Sequence, residues 1–261
     1  MEIGAIPRTR SIGGAWFARH PEWWVLGISA GAWLGLAVAA QHAMLPALCL
    51  APSTNLLATS LAALRAAQTS SQLAWDFLDW VLMTAAMMSP LVILPVRHVA
   101  FRSFRDRRHR AIAEFLAGYI GVWIVAGMAL LPVLIVAAAL GATQRPLVIA
   151  IGYSIAAAWQ LTPFKSGSLR RCHRTVPLAP DGWRADAACV RFGLGSGGSC
   201  LASCWALMAV PVLTSHGLAA MACIQAVMIR ERYQRRPRPQ TSASMLLLCT
   251  AFLLDLQGGL V

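Results

Sequence analysis

The feature that most constrains this chain is a series of long apolar runs interrupted by segments dense in arginine. A helix needs about 20 consecutive apolar residues to cross a bilayer core of about 30 Å. Runs near or above that length cover 23–45, about 76–96, 112–140 and 147–163. The stretch 200–229 is too long for one untilted span and short for two, and a last run covers 245–256. Only 12% of the residues are charged and 58% are hydrophobic, whereas soluble domains carry about 25% charged residues. Too few polar side chains remain to cover a water-facing surface, so a soluble domain, a disordered chain and a coiled coil are excluded. The expected fold is all-α: a polytopic transmembrane helical bundle of about six hydrophobic helices, forming a single integral membrane domain over 1–261.

The net charge of +12 would suggest nucleic acid in a soluble protein; its distribution points elsewhere. All but two of the 22 basic residues fall in the segments 1–21, 97–110, 164–197 and 230–239, the exceptions being Arg65 and Arg145. Cytoplasmic loops keep an excess of Lys and Arg. The expected orientation therefore has the N-terminus, 97–110 and 164–197 in the cytoplasm of a bacterial inner membrane, with 46–72 and 141–146 outside. A helical hairpin over 200–229, turning near Ser215-His216-Gly217, would return 230–239 to the cytoplasm; a single crossing would not. The first run is too long for the core of a cleaved signal and is read as an anchor that stays. Segment 53–68 has leucines at helical spacing and is either an amphipathic surface helix or an ordered loop. The Gly-Ser-Gly-Gly-Ser run at 195–199 reads as a flexible approach to the next helix. Arg97, Arg102, Arg105, Arg107, Arg108 and Arg110 adjoin a span, which makes anionic lipid headgroups their expected partner rather than nucleic acid.

Enzyme signatures are missing. Gly193-Leu194-Gly195 has neither a preceding strand nor a following lysine, so it is not a phosphate loop, and no nucleophile elbow or zinc-protease histidine pair occurs. Asp76, Asp79 and Glu114 sit at span ends, where charge is tolerated; a proton or ion relay would need carboxylates deeper in the bilayer. Soft donors are better represented, with 7 cysteines and 10 methionines. Thiolates and thioethers select Cu(I). Met83 and Met87 are four apart on one helix face, with Met88 adjacent. Cys200, Cys204 and Met208 follow at i, i+4 spacing, and Cys172 lies in the basic segment between. Methionine and buried cysteine also serve as plain packing residues, so spacing alone leaves both readings open.

Three motifs in order resemble a known family. Trp80, Met83, Ala86, Met87, Met88 and Pro90 form a tryptophan–methionine–proline signature. Trp159-Gln160-Leu161-Thr162-Pro163, with Lys165, Leu169 and Cys172 after it, is similar to an aromatic-Gln-Leu-Thr-Pro segment leading into a cysteine-bearing basic loop. Cys200, Cys204, Trp205, Leu207 and Met208 look like the family's cysteine-rich helix start. Together they resemble the bacterial predicted metal-binding integral membrane proteins, a domain of unknown function sometimes labelled a copper chaperone. The resemblance covers about 75–232, leaving an anchor helix and outward loop over 1–72 and a variable helix over 233–261. At two positions the chain departs from the pattern: Ser168 and Ser203 stand where the family commonly has cysteine.

The resemblance implies a non-enzymatic protein that binds or hands over a soft metal ion, copper as Cu(I) first, to a metal-handling partner. Its ligands would come from Met83, Met87, Met88, Cys172, Cys200, Cys204 and Met208. Two alternatives stand beside this. One is a structural or assembly subunit of a membrane complex, with Gln160 and Thr162 bonding between helices. The other is a small-solute or ion transporter.

Overall fold

The computed structural model describes residues 20–42, 72–140, 145–179, 181–213, 218–234 and 240–247. The amphipathic candidate at 53–68, the turn at 215–217, Cys49, Cys249 and the end of the last apolar run lie outside them. Among the described residues the chain is all helical, without a strand. The helices are α1 (Trp23–His42), α2 (Gln72–Met88), α3 (Ile93–Arg102), α4 (Arg108–Leu140), α5 (Arg145–Gln160), α6 (Pro163–Cys172), α7 (Gly182–Leu213) and α8 (Leu218–Tyr233). Residues 240–247 are also helical. A 3₁₀ turn, Ser89–Val92, joins α2 to α3, and another, Arg105–Arg107, leads into α4.

Three helical stretches are long and apolar enough to cross a membrane: Ala74–Arg102, Arg105–Leu130 and Gly182–Val212. The apolar part of α1, Trp23–Ala39, is shorter. The outer surface is apolar as well as the core. Leu34, Val125, Met128 and Val133 are all more than half exposed, a distribution that suits contact with lipid and not with water.

The most extensive helix pair is α4 on α7, and glycine makes it possible. A Cβ on Gly118 would come within 2.5 Å of the Val190 carbonyl oxygen. One on Gly193 would overlap the Phe115 carbonyl, and one on Gly197 would lie 2.9 Å from the Tyr119 carbonyl. Between apolar helices in lipid, close backbone approach and dispersion replace the hydrophobic drive as the main source of association. Gly193 and Gly197, one turn apart on α7, are a small-residue stripe fitted to Gly118. Trp80 uses a fourth glycine. Its indole N–H donates to the Trp123 carbonyl at 2.9 Å, and its ring occupies the space that a Cβ on Gly127 would take.

Two expectations are corrected here. The glycine–serine run at 195–199 is the interior of α7, where Gly197 packs against Tyr119 and Val122 of α4. The basic segments 97–110 and 164–197 are largely helical: α3 extends to Arg102, α6 occupies Pro163–Cys172, and α7 begins at Gly182. The stretch 200–229 is divided between the second half of α7 and α8, with residues 214–217 between them.

Gly193→Ala and Gly118→Ala are each expected to destabilise the protein by about 1–3 kcal/mol through overpacking. Gly195→Ala, whose Cβ meets nothing within 4 Å, is expected to be neutral or to stabilise by up to about 1 kcal/mol, since alanine is the better helix former. Thermal unfolding of the detergent-purified variants separates the two classes. Equal Tm values for Gly193→Ala and Gly195→Ala would contradict this account of the α4–α7 contact.

Candidate metal centre

Two local breaks in the helices and one continuous face of α7 build the centre. At the end of α2, Pro90 has no backbone N–H to continue the helical ladder, and the chain tightens into the 3₁₀ turn. The carbonyls of Pro90 and Leu91 are then used by α8: Tyr233 Oη donates to the first at 2.8 Å and Arg232 Nε to the second at 3.1 Å. At the start of α6, Thr162 is the N-cap, its hydroxyl oxygen accepting the Lys165 backbone N–H at 3.3 Å, and Pro163 fills the first turn, where a missing N–H costs nothing. Lys165, Ser168 and Cys172 then fall on one helical face, and all three are buried. On α7, Cys200, Ser203 and Cys204 share a face by the same periodicity and are buried too.

These faces meet. Tyr119 Oη, from α4, donates to Cys200 Sγ at 3.0 Å. The Cys200 thiol lies 3.8 Å from Met88 Sδ and hydrogen-bonds with Cys204. The Ser203 hydroxyl donates to the Cys200 carbonyl at 2.9 Å. Its oxygen is 3.4 Å from Cys204 Sγ and 4.0 Å from Cys172 Sγ, so the serine stands between two thiols. Cys172, Cys200, Cys204 and Ser203 line a cavity of about 20 Å³, which Met228, Glu231 and Arg232 of α8 help to close. That volume is on the scale of a single water-sized guest.

Charge surrounds the sulfurs on one side. Lys165 Nζ and Glu231 Oε2 form an ion pair at 2.5 Å, with side chains only 3% and 5% exposed. Burial pushes the Cys172 thiol up to about 11, the neighbouring Cys204 sulfur adding to the effect and Arg232 opposing it. Partial desolvation, with Arg232 nearby, lowers the exposed His173 below the ordinary histidine value. Cys172 is therefore a protonated thiol at neutral pH.

The residues singled out in the sequence divide accordingly. Met88, Cys172, Cys200 and Cys204 come together; Met83, Met87 and Met208 are fully buried in the core and do not line the cavity. Met88 is the methionine that meets a thiol because it is the last residue of α2, directly before the proline turn. Cys172 ends α6 and is buried, where a loop position was expected. Among the described residues no three His, Cys, Asp or Glu side chains form a ready-made metal cage, so a soft ion here would draw on thiols together with thioether sulfur.

A family model for the PpoB2 copper chaperone matches residues 77–254, more than half of the chain. This protein belongs to the copper chaperone family. Comparison with curated proteins and with solved structures gives no match. The matched region extends from α2 past α8 and contains every residue of the cavity.

Other expected residues have structural partners. The Thr162 hydroxyl links two successive helices, accepting from the Lys165 N–H of α6 and donating to the Trp159 carbonyl of α5 at 2.8 Å, and Gln160 is buried beside α6. Trp205 packs edge-on against Trp159, ring centres 5.2 Å apart. The arginine group assigned to lipid is also split. Arg107 and Arg110 pair with Glu114 of α4 and Asp186 of α7, and the Arg108 Nε donates to the Ala100 carbonyl at 2.9 Å. Arg97, Arg102 and Arg105 lie on the exposed surface. Glu231, Arg232 and Tyr119 were not foreseen. A lysine destined for burial needs an anionic partner, and Glu231, a lone acid in a basic stretch, was the available signal.

Lys165→Met is expected to cost about 3–5 kcal/mol, because it leaves Glu231 buried and unpaired. Adding Glu231→Leu should recover most of that loss. Chemical denaturation of the two variants in detergent checks this; a double variant no more stable than the single would overturn the ion-pair assignment.

Proposed function

We propose that the protein binds Cu(I) as cargo inside its helix bundle and hands it to a metal-handling partner protein without catalysis. The observation that carries this is the convergence of Cys172, Cys200 and Cys204 on one small buried cavity, with Met88 against Cys200. Thiolate and thioether sulfur favour Cu(I) over hard ions. Two or three thiolates make a low-coordinate site, with Met88 as the weaker donor. Cys172, at the end of α6, is the entry or exit ligand. Because the Cys172 thiol is protonated before the ion arrives, binding through it releases a proton and retention depends on pH. Met83, Met87 and Met208 act in this reading as packing residues.

Further proposals follow from the charge pattern. The N-terminus and the basic segments face the cytoplasm of a bacterial inner membrane, in which about six hydrophobic helices are embedded. Arg97, Arg102 and Arg105 meet anionic lipid headgroups, and nucleic acid is not a partner.

Purified protein, reduced and given Cu(I), is expected to retain the metal, as read by elemental analysis after desalting. Cys204→Ala should remove most of it. Retention against a competing chelator should strengthen as pH rises from 6 to 8, by about tenfold per unit for each thiol that loses its proton on binding. No metal in the wild type, or unchanged retention in Cys204→Ala, would sink the proposal. Ser203→Cys puts a third sulfur between Cys172 and Cys204 and is expected to tighten retention at least tenfold by the same competition assay.

A further inference from the structure

A groove of about 460 Å³ lies between the segment that follows α6 and the first half of α7. Its lining holds four arginines, Arg171, Arg174, Arg184 and Arg191, and no acid. All four are exposed, and among the described residues none of them pairs with a carboxylate. The single acid of α7, Asp186, is held by Arg107 and Arg110 instead. On α7 the groove follows one face: Arg184, Ala188, Arg191, Gly195 and Ser199 recur every three or four residues. Small residues between the arginines leave room, and a Cβ on Gly195 would meet nothing within 4 Å. The other wall is fixed by α3. His98 Nε2 donates to the Val176 carbonyl at 2.8 Å, and the His98 ring packs edge-on against Phe192 with centres 5.7 Å apart. Phe192 in turn lies 5.2 Å from Phe115 of α4. The groove therefore has a built shape with four like charges around it.

We propose that this groove binds the headgroup of an anionic lipid that carries two phosphates. Four unpaired cations repel one another, and an anion held among them relieves that repulsion. Guanidinium forks bind phosphate oxygens bidentately, and the Ser196 and Ser199 hydroxyls in the lining can donate to the same oxygens. A single phosphate diester would leave most of the arginine charge uncompensated; two suit four arginines better. The lining is also partly apolar, with Val176, Pro177 and Leu178 beside the arginines. Free phosphate has no use for such a wall, whereas the glycerol and first methylenes of a lipid do. The position agrees. The apolar stretch Gly182–Val212, long enough to cross a membrane, begins at this groove. Trp183 at its start is 74% exposed, as aromatic residues at a membrane–water interface are. The Arg184 guanidinium stands 5.8 Å from its ring centre. Basic pockets between helices at that level are suited to two-phosphate headgroups. Arg97, Arg102 and Arg105 do not line this groove, so the site is distinct from their surface contact with lipid. The inference rests on the membrane reading of α7 and is independent of copper.

The test uses the full-length protein in a non-ionic detergent, titrated with cardiolipin, which has two phosphates, or with phosphatidylglycerol, which has one. Native mass spectrometry is expected to show one cardiolipin held on the order of tenfold more tightly than phosphatidylglycerol. Arg184→Gln combined with Arg191→Gln changes only exposed side chains, so the protein should fold, and cardiolipin binding should weaken on the order of tenfold or more. Arg102→Gln combined with Arg105→Gln removes the same charge outside the groove and should change that binding little. Equal weakening by the two pairs would reduce the effect to diffuse charge and overturn the proposal. Equal affinity for the two lipids would overturn it too. So would displacement of cardiolipin by an equal concentration of inorganic pyrophosphate, which would make the ligand a free phosphate. Protein that stays monodisperse without detergent defeats the membrane reading itself. Protein that needs detergent yet shows no preference for the two-phosphate lipid defeats the groove alone.

Discussion

The contact between α4 and α7 is the constraint on which the rest of this structure depends. In lipid the helices gain little from hiding apolar surface from each other, so association has to come from contact distance. Gly118, Gly193 and Gly197 let two backbones approach to a separation that any side chain would prevent. The same face of α7 that carries the glycines continues one turn further into Cys200. Close approach is therefore what brings Tyr119 of α4 within 3.0 Å of the Cys200 thiol. A wider helix pair would open the cavity and separate the tyrosine from the cysteine. Packing and chemistry are two consequences of one stripe of small residues.

The second layer of organisation is electrostatic. A buried lysine, glutamate and arginine cost several kcal/mol each in desolvation unless they are well paired. Here Lys165 and Glu231 pair across α6 and α8, and Arg232 is tied to the carbonyl exposed by the proline turn. These groups fix the end of α8 against both α6 and the α2–α3 junction, closing the thiol cavity on its polar side. A neutral thiol suits this setting before metal arrives. A thiolate–metal complex carries less concentrated charge than free thiolates and is tolerated after it.

Much of this was legible in the sequence. Apolar run length and low charge gave the helical, membrane-type architecture, and the spacing of Cys200 and Cys204 gave one face of the site. Gly195-Ser196-Gly197-Gly198-Ser199 was misread, because glycine in isolation signals flexibility and only a neighbour at close range turns it into an interface. The methionine stripe was legible as Met83, Met87 and Met88, without the means to choose among them. Helical periodicity favours Met83 and Met87, whereas the helix ends at Met88, and the turn at Pro90 decides which sulfur meets Cys200. Arg232 could not be picked out of its basic cluster, since nothing in local sequence distinguishes a buried arginine from a solvated one, and Glu231 stood out there only as the lone acid. Lys165 is the exception: the Thr-Pro start of α6 fixes its helical phase, three residues before Ser168 and seven before Cys172.

Ser203 ties these layers together. It occupies the midpoint between Cys172 and Cys204, where a cysteine would give a compact trio of thiols with both neighbours. Its hydroxyl satisfies the Cys200 carbonyl and contacts two sulfurs, so the space is filled without a third strong ligand. A site with fewer thiolates holds a soft ion less tightly, because each additional sulfur donor adds to the affinity. For a protein that must release its cargo, weaker retention is compatible with function in a way it would not be for a storage site. On the proposed Cu(I) reading, the serine therefore favours exchange over storage.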